Sequence, residues 1–343
     1  MRGPVQVVYC DPDLPGYYPV LYMARLAAEL LGGQLVVLHP RSLTKSETLG
    51  GFIPRKRGGL PCLLICPAPG SLASLLIVEN WRNRFGRVVA WVFDSFWTTY
   101  IPRFARLTRV FDHVFVTEKD DLETWSNRIP APVEWLPWGS DVLRLGSANP
   151  QRRIDLLRMG RQPSEWEDDL SSSVECQSRK LSFQGRPPFL NDATQSELSL
   201  MKNLSEAKFT LSFSNSVSPN LQTHPDREYV TGRWTDAIAA GATVAGIPPR
   251  SKTASSLLWP EALLDLKTVN RTEGLEVIAR AVREWTPARA LLNYRRSLER
   301  LDWRWRFKKL SNALQLESCP LDAELMRLSE MINSDRSATA EQI

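Results

Sequence analysis

Short apolar runs alternate with amphipathic stretches along the first 140 residues of the chain. Six of these runs predict β-strands, at residues 5–10, 35–38, 63–65, 88–93, 113–117 and 133–136. A helix pattern with Leu21, Ala24 and Ala28 on its apolar side follows the first strand and ends at Gly32. Wholly apolar strands that alternate with amphipathic helices are typical of a parallel sheet covered on both faces.

A second cycle of the same kind begins after a boundary near residues 138–150. It predicts strands at 153–159, 181–183 and 209–213, a helix at 234–240, and a helical region from 273 to about 316. We therefore predict an α/β protein with two Rossmann-like, parallel-sheet domains, at residues 1–140 and 141–300. A helix at 301–333 and a flexible polar tail at 334–343 complete the prediction.

The charge balance adds modest information about partners. The 343 residues include 43 Lys and Arg against 38 Asp and Glu, a formal net charge of +5. This mild and dispersed excess suits an acidic ligand or a membrane surface and argues against nucleic-acid binding. Apolar runs such as 63–66 and 75–78 are far shorter than the roughly 20 residues of a membrane span. Without a signal-peptide pattern, and with five scattered cysteines, we expect a cytoplasmic protein with free thiols.

In open parallel sheets, ligands bind outside the carboxyl ends of the strands. The residues to weigh are therefore those that follow the predicted strands, and we expect a cleft between the two domains to hold the ligand. They are Asp94 in the first domain and Gly160, Arg161, Ser214 and Asn215 in the second.

The segment 228–242 is the most informative part of the sequence. A helix that starts near Gly232 would present free backbone N–H groups and the positive end of its dipole to an anion. Arg233 in the first turn adds a charge suited to phosphate. Asp236, one turn further on, could accept hydrogen bonds from a diol such as ribose. The alternative is an ordinary helix start with a surface arginine and a surface aspartate.

Three stretches of the second domain resemble glycosyltransferase motifs. Glu228 and Asp236 are separated by seven residues, and the sequence 236–241 (DAIAAG) resembles the end of the E-x7-E motif of group-one GT-B glycosyltransferases. The sequence 159–161 (MGR) resembles the Gly-Arg after the first strand of that family's donor domain. The sequences 213–216 (FSNS), 229–233 (YVTGR) and 240–242 (AGA) resemble a fucosyltransferase pattern. Asp236 replaces a glutamate of the first motif, and Gly232 and Arg233 replace Glu-Lys of the second.

This resemblance implies two facing Rossmann-like domains, the first on the acceptor side and the second holding the donor. A C-terminal helix would brace the first domain, although the basic, aromatic sequence 303–309 (WRWRFKK) also leaves a peripheral contact with the inner membrane open. The implied reaction moves a hexosyl or deoxyhexosyl group from a nucleotide-diphosphate sugar of the UDP or GDP type to an acceptor hydroxyl. The implied acceptors are a glycan, a lipid-linked molecule or a small molecule, and neither a metal ion nor another cofactor is implied.

The resemblance also assigns roles in the donor site. Arg161 and Arg233 would neutralise the donor diphosphate, and Asp236 would hold the ribose. Glu228, the second candidate catalytic residue besides Asp94, would lie near the sugar or its phosphate. The remaining donor-site residues are Gly160, Ser214, Asn215, Tyr229, Thr231 and Gly232. The two motifs point to opposite outcomes at the anomeric carbon, so retention and inversion both stay open. A catalytically silent protein that binds sugar nucleotides is the alternative function.

Asp94 is the candidate base of the first domain. It follows the apolar strand 88–93, and apolar neighbours would raise its pKa and let it deprotonate an acceptor hydroxyl. The alternative is that Asp94 caps a helix over 96–107. Asp11 and Asp13 mimic the D-x-D metal motif of the other glycosyltransferase fold, but their position after the first strand favours a turn.

Overall fold

The computed structural model describes residues 5–55, 58–220 and 223–340, with side chains described as far as Ser334. The described chain divides into two compact units. The first contains the residues up to Pro137 together with Arg304–Arg327, and the second contains Trp138–Trp303 and the residues from Leu328 onward.

The first unit is built on a six-stranded parallel sheet with the order β2-β1-β3-β4-β5-β6. Val8, Leu64, Ala90 and Val114 are aligned in one row across four neighbouring strands, and all of them are buried. The row belongs to the apolar core, which explains why these strands are apolar along their length. The strands are β1 (Gln6–Cys10), β2 (Gln34–Leu38), β3 (Leu60–Cys66), β4 (Phe85–Val92), β5 (His113–Val116) and β6 (Val133–Trp135).

Short helices connect these strands, and C-terminal helices join the same unit. The connecting helices are α1 (Tyr18–Leu30), α2 (Lys45–Gly50), α3 (Trp81–Arg84), α4 (Arg103–Leu107) and α5 (Leu122–Ser126). From the C-terminal part come most of α13 (Trp303–Leu314) and the start of α14 (Cys319–Ala340). Arg87 Nε donates to the carbonyl of Ala313, and Ser318 Oγ donates to that of Leu30 at 2.5 Å. Residues 304–327 thus pack against the first sheet's own elements.

The second unit contains a five-stranded parallel sheet with the order β11-β10-β9-β7-β8. Its strands are β7 (Ile154–Arg158), β8 (Phe183–Gln184), β9 (Ala207–Leu211), β10 (Thr243–Gly246) and β11 (Leu263–Asp265). Its helices are α6 (Val142–Leu145), α7 (Asp169–Ser178), α8 (Ala193–Ser205), α9 (Gly232–Ala239), α10 (Lys252–Leu257), α11 (Arg271–Arg283) and α12 (Pro287–Arg300). Leu156 and Phe209 face each other in the register of β7 and β9 and lie in the core of this unit.

The observed elements differ from the predicted ones in several details. The helical region predicted from 273 to about 316 is three helices, α11 to α13, and the helix predicted at 301–333 is divided between α13 and α14. The predicted helix over 96–107 is a 3₁₀ turn at Thr98–Tyr100 followed by the short α4. The backbone of 334–340, predicted as a flexible tail, continues α14, and residues 341–343 lie outside the described part of the chain. Cys319 is exposed, whereas the other four cysteines are buried, and all five are free thiols. Among the described residues, we find no helix with the length and apolar character required to span a bilayer.

Candidate functional site

The carboxyl end of β7 has a glycine that no other residue could replace without strain. Gly160 has a φ of +68°, in the left-handed region that glycine adopts at little cost. A Cβ atom on Gly160 would lie 2.5 Å from Cδ of Arg233, which lies in the first turn of α9. The absence of a side chain at Gly160 therefore makes room for Arg233.

The guanidinium group of Arg233 is held at the strand end by two contacts. Its Nη1 donates to the carbonyl oxygen of Arg161 at 3.0 Å, and its Nε lies 3.4 Å from the hydroxyl of Thr231. Thr231 is the N-cap residue of α9, and its hydroxyl accepts no hydrogen bond from the backbone N–H groups of the first turn. The first turn thus lacks a side-chain cap, and its N–H groups add positive potential beside Arg233.

Three arginines form what we call the arginine cluster: Arg161, Arg186 and Arg233. Burial and the neighbouring charge of Arg161 lower the pKa of Arg233 to about 10, and Arg186 acts in the same direction. Arg161 Nε donates to the carbonyl of Ser218 at 2.8 Å, and the guanidinium of Arg186 lies 4.8 Å from the ring centre of Phe189. In the described structure, none of the three forms an ion pair with a carboxylate.

Arg158, a neighbouring arginine, differs from the arginine cluster because it is paired with carboxylates. Arg158, at the end of β7, forms ion pairs with Glu167 and, at 3.1 Å, with Asp169. The acidic residues of this region therefore balance Arg158 and leave the arginine cluster uncompensated. Like charges at close range repel each other, so an arrangement of this kind is stabilised by an anion. Guanidinium groups beside a helix start suit the oxygens of a phosphate or diphosphate.

Asp236 lies in the second turn of α9 and is only 3% exposed. A Cβ on Gly232 would lie 2.8 Å from Asp236 Oδ2, so the carboxyl group lies against the first residue of its own helix. Burial raises the pKa of Asp236 to about 7, and its interaction with the Ser140 side chain opposes this rise. Burial and the charges of Asp236 and Asp141 raise the pKa of Glu197 as well. The carboxyl group of Asp236 is thus buried, and its role in binding the ribose stays a prediction.

The loop after β9 carries other predicted donor-site residues, Ser214 and Asn215, and both are buried. Asn215 Nδ2 donates to the carbonyl of Arg227 at 2.6 Å, which ties this loop to the segment before α9. The carbonyl of Ser214 accepts from Ser218 Oγ at 3.0 Å, and the carbonyl of Ser218 is the one that holds Arg161. Ser214 and Asn215 thus support the loop on which Arg161 rests.

Two further predicted residues precede α9. Tyr229 is 8% exposed, and its charge interaction with Arg233 opposes the lowering of the Arg233 pKa. Glu228 is half-buried and accepts a hydrogen bond from the backbone N–H of Arg250. The role of Glu228 near a sugar or phosphate stays a prediction.

In the first unit, Asp94 follows β4 and meets Tyr17, which lies in the turn after β1. The Tyr17 hydroxyl donates to Asp94 Oδ2, and the backbone N–H of Asp94 donates to the carbonyl of Pro67 at 2.8 Å. Burial raises the pKa of Asp94 to about 6, and the bond from Tyr17 opposes this rise. The helix-capping alternative for Asp94 is wrong, because the following 3₁₀ turn begins after Trp97 and α4 begins at Arg103.

The turn predicted at Asp11 and Asp13 is present. Asp11 Oδ1 accepts from the N–H of Asp13 at 2.9 Å, and Asp13 has a φ of +56°. His39 Nδ1 lies 3.0 Å from Asp13 Oδ1. The ligand atoms of the three side chains lie within 4.8 Å of one another, but Asp13 and His39 are exposed. These contacts are typical of a surface turn and do not indicate a preformed metal site.

Arg186, Tyr17 and Glu197 were missed by the sequence reasoning. Arg186 follows the short strand β8, so the rule about strand ends could have found it. Tyr17 belongs to the turn after β1 and could have been found in the same way. Nothing in the sequence near Glu197 signals its closeness to Asp236, because the two residues lie on different helices.

Comparison with known proteins gives structural neighbours only. No protein-family model matches the chain, and no curated protein matches its sequence. AviGT4, a glycosyltransferase involved in avilamycin A biosynthesis, is 11% identical with a TM-score of 0.50, over 91% of this chain and 97% of its own. A UDP-forming α,α-trehalose-phosphate synthase from Burkholderia vietnamiensis is 10% identical with a TM-score of 0.50, over 92% and 100%.

The chain shares their fold. The predicted fold class, α/β with two Rossmann-like parallel-sheet domains of the GT-B type, is confirmed by the two sheets and by these neighbours. TarM from S. aureus, at 12% identity and a TM-score of 0.43, matches over 74% of this chain. The present chain spans 55% of the length of that protein.

Proposed function

We propose that the chain is a glycosyltransferase that moves a sugar from a nucleotide-diphosphate donor to an acceptor hydroxyl. The observation that carries the proposal is the arginine cluster, in which Arg233 lies against Arg161, is within range of the charge of Arg186, and none of the three has a described carboxylate partner. The cluster adjoins the uncapped start of α9 at the carboxyl end of a parallel sheet. Open α/β sheets bind ligands at this edge, and a diphosphate supplies the missing negative charge.

The charge arrangement suits the chemistry of sugar transfer. The acceptor oxygen forms a bond to the anomeric carbon, and the bond from that carbon to the diphosphate oxygen breaks. The electron pair of the broken bond leaves with the nucleoside diphosphate, whose charge grows in the transition state. Preorganised guanidinium groups stabilise that developing charge. Because three cations can neutralise a diphosphate by themselves, we propose that transfer needs no metal ion or other cofactor.

We propose Asp94 as the base that takes the proton of the acceptor hydroxyl. With a pKa of about 6, its carboxyl group is mostly ionised at pH 7 yet more basic than an ordinary aspartate.

We propose that the nucleotide of the donor is UDP or GDP. UDP is the first to test, because one of the structural neighbours is a UDP-forming enzyme. The transferred group is proposed to be a hexosyl or deoxyhexosyl group. The proposed acceptor is a glycan, a lipid-linked molecule or a small molecule.

A ligand screen tests the donor site directly. Calorimetry with UDP, GDP, TDP and ADP, in the presence of EDTA, should show one preferred nucleoside diphosphate that binds without metal. A set of neutral nucleosides serves as the control for base recognition alone. If no diphosphate binds better than its nucleoside, the donor site is disproved. If a diphosphate binds but the matching sugar nucleotides are neither hydrolysed nor used with any acceptor, the catalytically silent alternative is correct.

A further inference from the structure

Most side chains of the basic, aromatic segment 303–309 are buried, whereas Lys308 and Lys309 are exposed. Trp303 is 3% exposed, Arg306 is 5% exposed, and both Arg304 and Phe307 are fully buried. Arg304 Nε also forms an ion pair with Glu324 at 2.6 Å. These side chains belong to the protein interior.

A different part of the first unit exposes large apolar side chains. Leu49 at the end of α2 is 66% exposed, Ile53 is 51% exposed, and Leu107 at the end of α4 is 60% exposed. Phe52, at 38%, lies between the first two in sequence. We call these four residues the apolar ridge. An exposed set of this size on a monomeric protein indicates an interaction surface when its members adjoin.

Contacts through Gly51 bring the two parts of the apolar ridge together. The carbonyl of Gly51 accepts a hydrogen bond from Thr108 Oγ1 at 3.3 Å. A Cβ on Gly51 would lie 3.0 Å from Cγ of Phe104, so the turn after α2 packs directly on α4. Leu107 immediately precedes Thr108, and Phe52 immediately follows Gly51. The exposed residues Phe52 and Leu107 are therefore each one residue away from this contact, which places the two parts of the apolar ridge beside each other.

The same surface carries uncompensated positive charge. Residues 103–109 contain three arginines and no acidic residue. Phe104 and Ala105 are buried, whereas Arg103, Arg106 and Arg109 are exposed. Within the described part of the chain, none of these three arginines pairs with a carboxylate. By contrast, Arg41 beside α2 is paired with Glu47 at 2.5 Å, so the free charge lies on the α4 side.

We propose that the apolar ridge and the arginines of α4 form a docking surface for a membrane containing anionic phospholipids. The apolar side chains would enter the interfacial region, and the three guanidinium groups would meet lipid phosphates while their stems lie along the apolar surface. The joint presence of exposed apolar groups and unpaired arginines favours a lipid surface, because an anionic membrane satisfies both. The inference is independent of the proposed transferase reaction.

Vesicle sedimentation with the full chain tests the charged half of the surface. The protein should bind phosphatidylcholine vesicles with about 30% phosphatidylglycerol at least about tenfold more strongly than pure phosphatidylcholine vesicles. The double variant Arg103→Gln with Arg106→Gln should lose at least about tenfold in partitioning, since each arginine near an anionic surface contributes about fivefold. Arg280→Gln with Arg283→Gln is the matched control, because both residues are exposed on α11 and unpaired among the described residues.

A second pair of variants tests the apolar half. Leu49→Ser with Ile53→Ser should weaken binding to the anionic vesicles at least about fivefold, because the two side chains lose apolar burial. Leu170→Ser with Val174→Ser, at positions 74% and 59% exposed on α7, should bind as the wild type does. All of these positions are exposed, so the thermal unfolding midpoints should stay unchanged and verify folding.

Several outcomes would overturn the proposal. They are an absence of binding to anionic vesicles, equal binding to neutral ones, or equal losses in the control pairs. A loss in the arginine pair without one in the apolar pair, together with binding to single-stranded RNA, would assign the surface to nucleic acid instead. Calorimetry with UDP or GDP on the same variants separates this result from the donor site, since donor affinity should be unaffected.

Discussion

The side chain of Arg233 crosses the backbone of Gly160 at the carboxyl end of β7. The contact is so close that the Cβ of any other residue at position 160 would lie 2.5 Å from Arg233 Cδ. The same crossing brings Arg233 Nη1 to the carbonyl of Arg161 at 3.0 Å. One glycine thus positions the cation in the first turn of α9 beside the cation that follows β7.

Gly160→Ala should disturb both stability and donor affinity. The added methyl group collides with Arg233, and the φ of +68° costs alanine about 1 kcal/mol or more. We expect a lower unfolding midpoint and a loss of at least about tenfold in nucleoside diphosphate affinity, both measurable by thermal shift and calorimetry. Gly70→Ala is the control, because the nearest atom to its new Cβ lies 4.0 Å away. Wild-type affinity in Gly160→Ala would contradict the assigned geometry.

Arg233→Ala should reduce the affinity for nucleoside diphosphate by at least about tenfold. A charge-assisted hydrogen bond contributes roughly 1.5–3 kcal/mol, and Arg233 has no described carboxylate to occupy it instead. Calorimetry at two salt concentrations measures the effect, which should shrink as salt screens the remaining charges. Arg280→Ala, on the exposed side of α11, should leave affinity unchanged. An unaltered dissociation constant in Arg233→Ala would remove the arginine cluster from the donor site.

Asp94→Asn should abolish sugar transfer and leave donor binding intact. For the wild type, the transfer rate should rise as pH increases through about 6, where the carboxyl group loses its proton. Tyr17→Phe removes the hydrogen bond that opposes the raised pKa, so the midpoint of the pH profile should move to higher pH. A normal rate in Asp94→Asn, or an unmoved midpoint in Tyr17→Phe, would show that this pair is not the base.

Asp236→Asn should stabilise the protein more at pH 8 than at pH 5. Burial raises the pKa of Asp236 to about 7, above the value of about 3.9 in the unfolded chain, so the folded state holds a proton that the unfolded state releases. The resulting stability is lost as pH rises through that range. The gain from Asp236→Asn should therefore grow by about 2–4 kcal/mol between the two pH values.

Urea unfolding of the variant and the wild type measures this difference. Gln151→Ala, at an exposed position of the same unit and without a titratable group, should show the same stability difference from wild type at both pH values. A gain from Asp236→Asn that does not depend on pH would mean that the carboxyl group titrates as it does in the unfolded chain.

The predictions of β-strands succeeded where the run of apolar residues is itself enough to indicate a buried strand. Every predicted strand of the first domain has a counterpart, because apolar runs bounded by glycine, proline and polar residues leave few alternatives to a buried parallel strand. Strand ends and helix bounds were less accurate. The segment 96–107 carries an apolar pattern that is compatible with a long helix, yet only Arg103–Leu107 is α-helical. The conformation of this segment is determined by the packing of Phe96 and Ile101 in the interior and not by helix propensity.

The sequence by itself determined the α/β class and the parallel sheets, because these depend on the period of the hydrophobic residues. It also predicts, from the strand ends, the region where an anion would bind. Only the tertiary structure decided which charges remain uncompensated. Arg158 is paired with Glu167 and Asp169 and Arg233 is not paired with a described carboxylate, because ion pairing depends on which side chains the fold brings together. Likewise, the aromatic segment 303–309 is largely buried and the ridge near Leu49 is exposed, since tertiary packing selects which apolar residues leave water.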